Sequence, residues 1–370
     1  MKAALRICVT ALSMPSAGCY AEAASYPPLP ALNIDISQTS VSGLSAGGFM
    51  AVQLALAYSS IIKGVGVVAA GPYYCSQNSL LIATTRCSCT IGPASACRVS
   101  PDSTNVPRLV SMARTFSANR LIDDISRIAG QRIVTISGAK DATVPTPIVA
   151  QLQAFYAALG VPAQNMTRIG IADAGHTMPT LDYGVACAKS ESPFIGKCNV
   201  DGAKQILGWI YGPAPLAPPA AATPPGRFIR FDQSRYLPAN RPAGFLRRTG
   251  MDTTGWLYVP GTCDAGAPCR LHVALHGCRQ GQAYVPLGSP TGLSYGTTFV
   301  RHAGYTQWAD NNRIVVLYPQ AVSIPITNPN GCWDWWGYTG RHFADQQGVQ
   351  MRAIRNMIER LTSGTSGASH

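Results

Sequence analysis

The segment Thr39–Tyr58 constrains the fold more than any other part of the sequence. A short apolar strand runs into the turn Gly43–Gly48, and a helix-forming stretch follows from Phe49. The turn contains the pattern Gly-x-Ser-x-Gly, which needs small residues around the serine because a bulky flank would clash with the neighbouring chain. The bare pattern also occurs in ordinary turns. A strand before it and a helix after it favour a strained turn that exposes Ser45 as a nucleophile.

A serine nucleophile needs a general base and an acid that orients the base, and two later segments supply candidates. The predicted strand Ile133–Ser137 is followed by Asp141, and a second apolar stretch, Ile169–Ala172, leads to His176. Each residue alone is compatible with an ordinary loop, but the chain order serine, aspartate, histidine is typical of α/β-hydrolases. We expect Asp141 to orient His176 and His176 to accept the serine proton. Asp173 is an alternative acid, although its closeness to His176 favours a role in shaping that loop.

The tetrahedral intermediate of such a reaction needs an oxyanion hole of two backbone N–H donors. Ala46, which follows the nucleophile, supplies one candidate. The second normally comes from the turn after a strand that precedes the nucleophile, often marked His-Gly. No such strand precedes Ser45, whereas a matching strand, Leu271–Leu275, lies far downstream and is followed by His276 and Gly277. The order of the segments therefore indicates a circularly permuted chain.

The alternation of strands and helices predicts a mostly parallel central sheet flanked by helices. Joining the ends of the mature chain gives the strand Leu271–Leu275, the strand Ile314–Tyr318, the helix Gln347–Leu361 and then the nucleophile strand, which is the usual α/β-hydrolase order. The Pro-rich segment 212–226 would ordinarily mark a domain boundary. In the permuted order it instead bridges a helix to the first strands, which predicts one domain over residues 24–370.

Several of these motifs together resemble extracellular polyhydroxybutyrate depolymerases, in particular their circularly permuted single-domain type. The motifs are the serine turn, the Ser-Gly-x-x-Asp141 loop, Gly175-His176-Thr177, His276-Gly277-Cys278-x-Gln280 and Cys332-Trp-Asp-Trp-Trp336. The resemblance implies that Ser45, Asp141 and His176 form the triad and that the N–H groups of Ala46 and Cys278 form the oxyanion hole. It also implies hydrolysis of poly- or oligo-(3-hydroxybutyrate) esters through an acyl-enzyme. No metal or organic cofactor is expected.

Three tryptophans in one short segment are candidates for binding an apolar polyester. They are Trp333, Trp335 and Trp336. Alternate residues of an extended segment face opposite ways, so we expect Trp335 or Trp336 to line the site and Trp333 to be structural. We also expect structural roles for His272 and His276. The alternative is that one of them, rather than His176, acts as the general base.

The N-terminus has the features of an export signal. Lys2 precedes a short apolar region, and a small-x-small site favours cleavage after Ala23, so residues 1–23 form the predicted signal peptide. A weaker alternative is a lipid anchor at Cys19. We expect a secreted protein, either extracellular or periplasmic.

Cysteine content supports an oxidising compartment. Of the 12 cysteines, cleavage would remove Cys8 and Cys19 and leave an even number. That pattern indicates disulfide pairing. Cys263 and Cys269 flank one short loop, and Cys187 and Cys198 flank another. Cys278 and Cys332 are a further candidate pair. The sequence does not determine the pairing within the cluster of Cys75, Cys87, Cys89 and Cys97.

Charge and hydropathy limit the kinds of molecule that the protein is expected to bind. Lys and Arg number 29 against 17 Asp and Glu, a net charge of +12, yet the basic residues are scattered without a run or stripe that would hold a phosphate backbone. We expect no nucleic-acid partner, no membrane span and a monomer acting on a polyester or oligoester. Two other functions stay open: a feruloyl or acetyl-xylan type carboxylesterase, and a non-catalytic polymer-binding protein.

Overall fold

A computed structural model describes residues 26–219, 225–238, 246–286 and 292–364. The predicted signal peptide 1–23, with Cys8 and Cys19, lies outside the described residues, as do residues 220–224 of the Pro-rich segment.

One eight-stranded sheet organises the described residues. Its strands lie in the spatial order β4-β3-β2-β1-β10-β11-β9-β8, and β9 runs antiparallel to both of its neighbours while the other neighbouring pairs are parallel. The strands are β1 (Ile34–Leu44), β2 (Ile62–Val68), β3 (Arg132–Gly138), β4 (Met166–Ile171), β8 (Arg227–Asp232), β9 (Thr254–Val259), β10 (Cys269–Leu275) and β11 (Ile314–Tyr318). The prediction of a mostly parallel sheet is confirmed.

Three short strands form a second sheet beside the histidine loop, in the order β5-β7-β6. They are β5 (Met178–Thr180), β6 (Val185–Ala186) and β7 (Ile195–Lys197). The α-helices of the described residues are α1 (Ala46–Ala57), α2 (Leu80–Thr85), α3 (Val106–Ala118), α4 (Thr146–Ala158), α5 (Gly202–Tyr211), α6 (Leu246–Thr249), α7 (Gly261–Asp264), α8 (Thr298–His302), α9 (Thr306–Asn312) and α10 (Val349–Thr362). No helix among these residues is both long and apolar enough to cross a bilayer.

Hydrophobic cores cover both faces of the large sheet, which explains the continuous apolar sequence of β11. On β11, Val315 and Leu317 belong to the core that includes α1 and α10. Their neighbours Val316 and Tyr318 belong to the opposite core, with α5 and α9. β1 lies in the middle of the sheet between β2 and β10, and its residues Thr39–Leu44, which lead to Ser45, are buried.

Strands from both sides of the Pro-rich segment share this sheet. β1 to β4 precede the segment and β8 to β11 follow it, and β1 pairs directly with β10. Near the ends of the described chain, the N–H of Leu32 donates to the carbonyl of Leu361 at 2.9 Å. The two ends therefore lie close together, as the permuted order predicts. Joining them would place β8 to β11 before β1 along the chain.

Five disulfides confirm the predicted pairing of cysteines. Two close the short loops that the sequence indicates, and one joins the two segments of the further candidate pair. The four-cysteine cluster, whose pairing the sequence leaves open, forms two local bridges. The pairs are Cys75–Cys87, Cys89–Cys97, Cys187–Cys198, Cys263–Cys269 and Cys278–Cys332.

Candidate active site

Ser45 lies at the apex of a sharp turn between β1 and α1. Its backbone has φ 55° and ψ −122°, a region that residues with a side chain rarely occupy. The Ser45 N–H donates to the carbonyl of Val68 at 2.9 Å, and its carbonyl accepts the N–H of Phe49 at 2.9 Å. Neighbouring strand and helix thus hold the strained turn in place. The first N–H groups of α1, including that of Ala46, have no partner within the helix.

Glycines on both sides of the serine allow a close approach of three chain segments. A Cβ on Gly43 would overlap the backbone of Gly47, and a Cβ on Gly47 would overlap the carbonyl oxygens of Leu275 and His276. The start of α1 therefore lies directly against the turn that follows β10. This contact is the physical reason for the small residues in the Gly-x-Ser-x-Gly pattern.

Asp141 and His176 come from the ends of β3 and β4, at the same sheet edge as Ser45. The Asp141 Oδ2 and His176 Nδ1 are 2.8 Å apart, and both residues are almost completely buried. The other oxygen, Oδ1, accepts the N–H groups of Thr143 and Val144 at 2.8 Å each. These donors fix the carboxylate, so one oxygen remains to orient the imidazole.

The alternative acid, Asp173, is exposed and forms an ion pair with Lys140 at 2.7 Å. The Lys140 contacts lower the pKa of Asp173. The Asp173 carboxylate therefore pairs with a lysine at the protein surface. Asp141, by contrast, contacts the histidine ring.

The histidine loop is braced by a segment that carries no motif in the sequence. The His176 N–H donates to Ser190 Oγ at 2.8 Å, and the N–H of Met178 donates to the carbonyl of Phe194 at 2.9 Å. The disulfide Cys187–Cys198 closes this brace. Ser190 has no local sequence pattern that would reveal its contact with a residue 14 positions away.

The turn after β10 lies beside Ser45 and is held by His276. A Cβ on Gly277 would lie 3.5 Å from the Cβ of Ser45. His276 Nε2 accepts the N–H of Ala321 at 3.0 Å, so the ring proton is on Nδ1 and is donated to the carbonyl of Gly277 at 2.7 Å. In a trans peptide the C=O and N–H point opposite ways. The N–H of Cys278 is therefore directed away from His276.

Burial keeps two histidines of the central sheet region, His272 and His276, neutral. His276 is fully buried, and desolvation lowers its pKa to about 4. His272 is likewise buried, between the hydroxyls of Ser40 and Ser42 at 2.7 Å each, and desolvation lowers its pKa to about 3. Their hydrogen bonds go to the turn and to the β1–β10 pair, which agrees with structural roles.

Two links connect this turn to the segment that carries the tryptophans. Cys278 is joined to Cys332 by a disulfide, and the N–H of Arg279 donates to the carbonyl of Asn330 at 2.7 Å. Arg279 has φ 64°, a left-handed conformation that costs about 1–2 kcal/mol for a residue with a Cβ. The turn therefore keeps its shape through contacts with a distant segment.

The three tryptophans have different environments. Trp333 is fully buried and donates its indole N–H to the carbonyl of His276 at 3.0 Å. Trp335 stacks on Phe49 of α1 with ring centroids 4.0 Å apart. Trp336 is partly exposed and lies nearly perpendicular to Trp335 at 5.7 Å. Among the three candidate substrate contacts, Trp336 is partly exposed, Trp335 is 7% exposed, and Trp333 is fully buried against the turn after β10.

Asp334, which lies between the candidate tryptophans, organises their segment. Its buried carboxylate accepts backbone N–H groups from the four residues 336–339 and the hydroxyl of Thr339. Burial raises the pKa of Asp334, and the hydrogen bonds from Thr339 and its neighbours oppose that shift. The segment is thereby folded around one carboxylate, with Trp336 against Trp335 and Trp335 stacked on Phe49 of α1. The sequence motif alone does not reveal this role.

Within the described residues, no cluster of three or more His, Cys, Asp or Glu side chains is arranged to hold a metal ion.

The sheet order, the strained serine turn and the buried carboxylate–imidazole pair define a serine hydrolase of the α/β-hydrolase class. Comparison with known proteins narrows the class. The chain is 42% identical over 344 residues to the poly(3-hydroxybutyrate) depolymerase of Delftia acidovorans, covering 92% of this chain but only 63% of that protein. It is 37% identical over 354 residues to the polyhydroxybutyrate depolymerase of Talaromyces funiculosus, covering 92% of this chain and 94% of that protein. The chain belongs to the polyhydroxybutyrate depolymerase family.

Solved structures agree with this assignment. The PHB depolymerase from Penicillium funiculosum superposes with a TM-score of 0.77 at 34% identity, over 92% of this chain and 100% of that one. A serine-to-alanine variant of a PHB depolymerase in complex with an R3HB trimer gives a TM-score of 0.76 at the same identity and coverage. No family model matches the chain. The predicted fold class and family resemblance are confirmed.

Proposed function

We propose that this chain is a secreted serine esterase that hydrolyses poly- or oligo-(3-hydroxybutyrate) through an acyl intermediate on Ser45. The observation that carries the proposal is the buried Asp141–His176 contact of 2.8 Å at the sheet edge that also presents the strained Ser45 turn. Membership of the depolymerase family supplies the substrate class, because a solved relative holds an R3HB trimer.

The reaction proceeds in two half-steps. Ser45 Oγ attacks the ester carbonyl carbon while His176 Nε2 takes the hydroxyl proton, and Asp141 stabilises the imidazolium that forms. The N–H groups of Ala46 and Cys278 stabilise the negative oxygen of the tetrahedral intermediate. The leaving alkoxide takes the proton from His176 as the carbon–oxygen bond breaks. Water, activated by His176, then releases the acid product and restores Ser45.

Trp336 and Trp335 form the apolar side of the binding site, and Trp333 fixes the neighbouring turn through its bond to the carbonyl of His276. Five disulfides suit an oxidising compartment, which supports export of the chain after removal of residues 1–23. We propose a single permuted catalytic domain over residues 24–370 that acts as a monomer.

The alternative esterase function differs in substrate and is tested by direct comparison. Purified mature protein should release soluble 3-hydroxybutyrate from amorphous polymer and cleave 3-hydroxybutyrate oligomers faster, by kcat/KM, than methyl ferulate or acetylated xylan. Preference for the aryl or acetyl esters would refute the polyester assignment and keep the hydrolase mechanism.

The non-catalytic alternative is tested by labelling. A fluorophosphonate should modify the wild-type protein at Ser45 in one-to-one ratio, because only a serine activated by a neighbouring base reacts readily. A folded protein that binds polymer but does not react with the probe would refute catalysis.

A further inference from the structure

We propose that Gln280 is a positioning residue that couples the oxyanion turn to the loop carrying His176. The inference rests on the proposed function and extends it to a residue outside the triad and the oxyanion donors.

The Gln280 side chain is buried, with 1% of its surface exposed, and both ends of its amide are used. Oε1 accepts the N–H of Gly277 at 2.7 Å. Nε2 donates to the carbonyl of Pro193 at 2.9 Å and lies 3.2 Å from the carbonyl of Phe194. The amide thus connects the turn after β10 with the segment that braces the histidine loop.

The far end of this connection leads to the general base. The carbonyl of Phe194 also accepts the N–H of Met178, two residues beyond His176. Tyr295 reinforces the junction, because its hydroxyl donates to the carbonyl of Pro193 at 2.7 Å and lies 3.3 Å from Gln280 Nε2. A short series of hydrogen bonds therefore runs from Gly277 to the backbone beside His176.

Sheet topology explains why such a connection is needed. The turn bearing the Cys278 N–H follows β10, and His176 follows β4, but three strands separate β10 from β4 in the sheet. These two strands are not neighbours, so their loops share no ladder of backbone hydrogen bonds. Catalysis requires the base and the oxyanion donors at fixed positions around one carbonyl group. Small displacements of either lower the reaction rate strongly.

Only a side chain with an acceptor at one end and donors at the other fits these contacts. Together with the His276 bond, the Gly277 N–H contact fixes the peptide planes on both sides of Gly277, including the plane that carries the Cys278 N–H. Glutamate would keep the acceptor but lose the donor, and methionine would fill the volume while losing both.

The test compares Gln280→Met with a matched control, Gln282→Met. Gln282 lies two residues further on, is 7% exposed, and hydrogen-bonds to Trp256 at 2.8 Å and Thr254 at 2.8–2.9 Å, away from both loops. Sites are counted by complete labelling with a fluorophosphonate, and kcat and KM are measured on a soluble short-chain ester. Normalising to labelled sites separates positioning from a lower folded fraction.

We expect Gln280→Met to lower kcat per labelled site by about 10–100-fold, somewhat less than loss of a whole oxyanion donor, with KM changed by less than about threefold. Gln282→Met should keep kcat per site near that of the wild type, although both variants unfold at lower temperature. An unchanged kcat per site in Gln280→Met, or an equal fall in the control, would overturn the proposal.

Gln280→Glu provides a second readout. Its carboxylate would face the carbonyls of Pro193 and Phe194. Two titratable groups lie nearby: Tyr295, whose pKa burial raises so that it stays neutral, and His276 across Gly277, whose pKa burial lowers to about 4. Protonation would restore a donor, so the ratio of variant to wild-type kcat should rise as the pH falls. A flat ratio would overturn the proposal even if Gln280→Met failed to fold.

Ser45→Ala distinguishes failure of this proposal from failure of the proposed function. If Ser45→Ala retained activity, the proposed function itself would fail. If Ser45→Ala were inactive and the Gln280 variants behaved like the control, the role of Gln280 alone would fail.

Discussion

At the scale of single residues, the decisive contrast is between two aspartates near His176. Asp141 is buried and has one oxygen fixed by backbone donors and the other on the imidazole, whereas Asp173 is exposed and paired with Lys140. A carboxylate in the position of Asp141 holds the histidine in the tautomer that leaves Nε2 free to accept a proton.

Asp141→Asn should therefore lower kcat by about 10³–10⁴-fold with little change in fold, because an amide N–H at Nδ1 forces the wrong tautomer. The matched variant Asp173→Asn should keep kcat within about twofold, since a surface ion pair contributes little. Steady-state kinetics on a soluble ester check both. Equal losses in the two variants would contradict the assignment of Asp141.

At the scale of elements, the position of α1 decides whether Ser45 lies against the turn after β10, which carries the proposed oxyanion donor Cys278. Gly47 allows the first turn of α1 to touch the carbonyl oxygens of Leu275 and His276, so a methyl group there would force the helix away. Gly170, on the edge strand β4, would meet no atom within 4 Å of an added methyl group and offers a control of the same chemistry.

Gly47→Ala should lower kcat by at least about tenfold and reduce the free energy of unfolding by about 1–3 kcal/mol, the usual range for overpacking. Gly170→Ala should change neither appreciably. Urea unfolding and ester hydrolysis give the two measurements, and a Gly47→Ala enzyme with wild-type values would show that the close approach is dispensable.

Elements with strong local patterns can be predicted from the sequence, and those shaped by distant contacts cannot. The apolar runs of β3, β10 and β11 predict strands because both faces of these strands are buried. β1 contains several polar residues, and its prediction depends on its place before the Gly-x-Ser-x-Gly turn. β2 is not predicted from the sequence, because Gly64 and Gly66 interrupt its apolar pattern. These two glycines leave room for Ile210 and Ile206 of α5, which pack against the strand.

The same distinction holds for the site. Ser45, Asp141 and His176 lie in short motifs whose order carries information. Ser190 contacts His176, 14 positions away, so no local pattern marks its role. The Asp334 carboxylate contacts its own neighbours 336–339, but the distant residues that pack around it, Gln53 and Gln350, cannot be identified from its local sequence.

At the scale of the whole molecule, two buried neutral histidines couple stability to pH. His272 and His276 have pKa values of about 3 and about 4 in the folded protein, against an ordinary value of 6.5. Between about pH 4 and pH 6.5 the unfolded chain therefore binds more protons than the folded one. Their contribution to stability is fully present above pH 6.5 and is lost as the pH falls.

The free energy of unfolding should accordingly drop by about 2 kcal/mol per histidine between pH 7 and pH 5. Burial raises the pKa of Asp334, so protonation of this carboxyl acts in the opposite direction to that of the histidines. Chemical unfolding at pH 7, 6 and 5 measures the slope. A free energy that is constant or rises on acidification would contradict the assignment of both histidines as buried and neutral.

The role of Ser45 as the nucleophile of a polyester hydrolase is the assignment on which the others depend. It is tested by the release of soluble 3-hydroxybutyrate from suspended amorphous polyhydroxybutyrate, measured for the mature protein and for Ser45→Ala in parallel. We expect steady release by the wild type and none above background by a Ser45→Ala variant with the same circular dichroism and melting temperature. Release at wild-type rate by that folded variant would show that Ser45 is not the nucleophile.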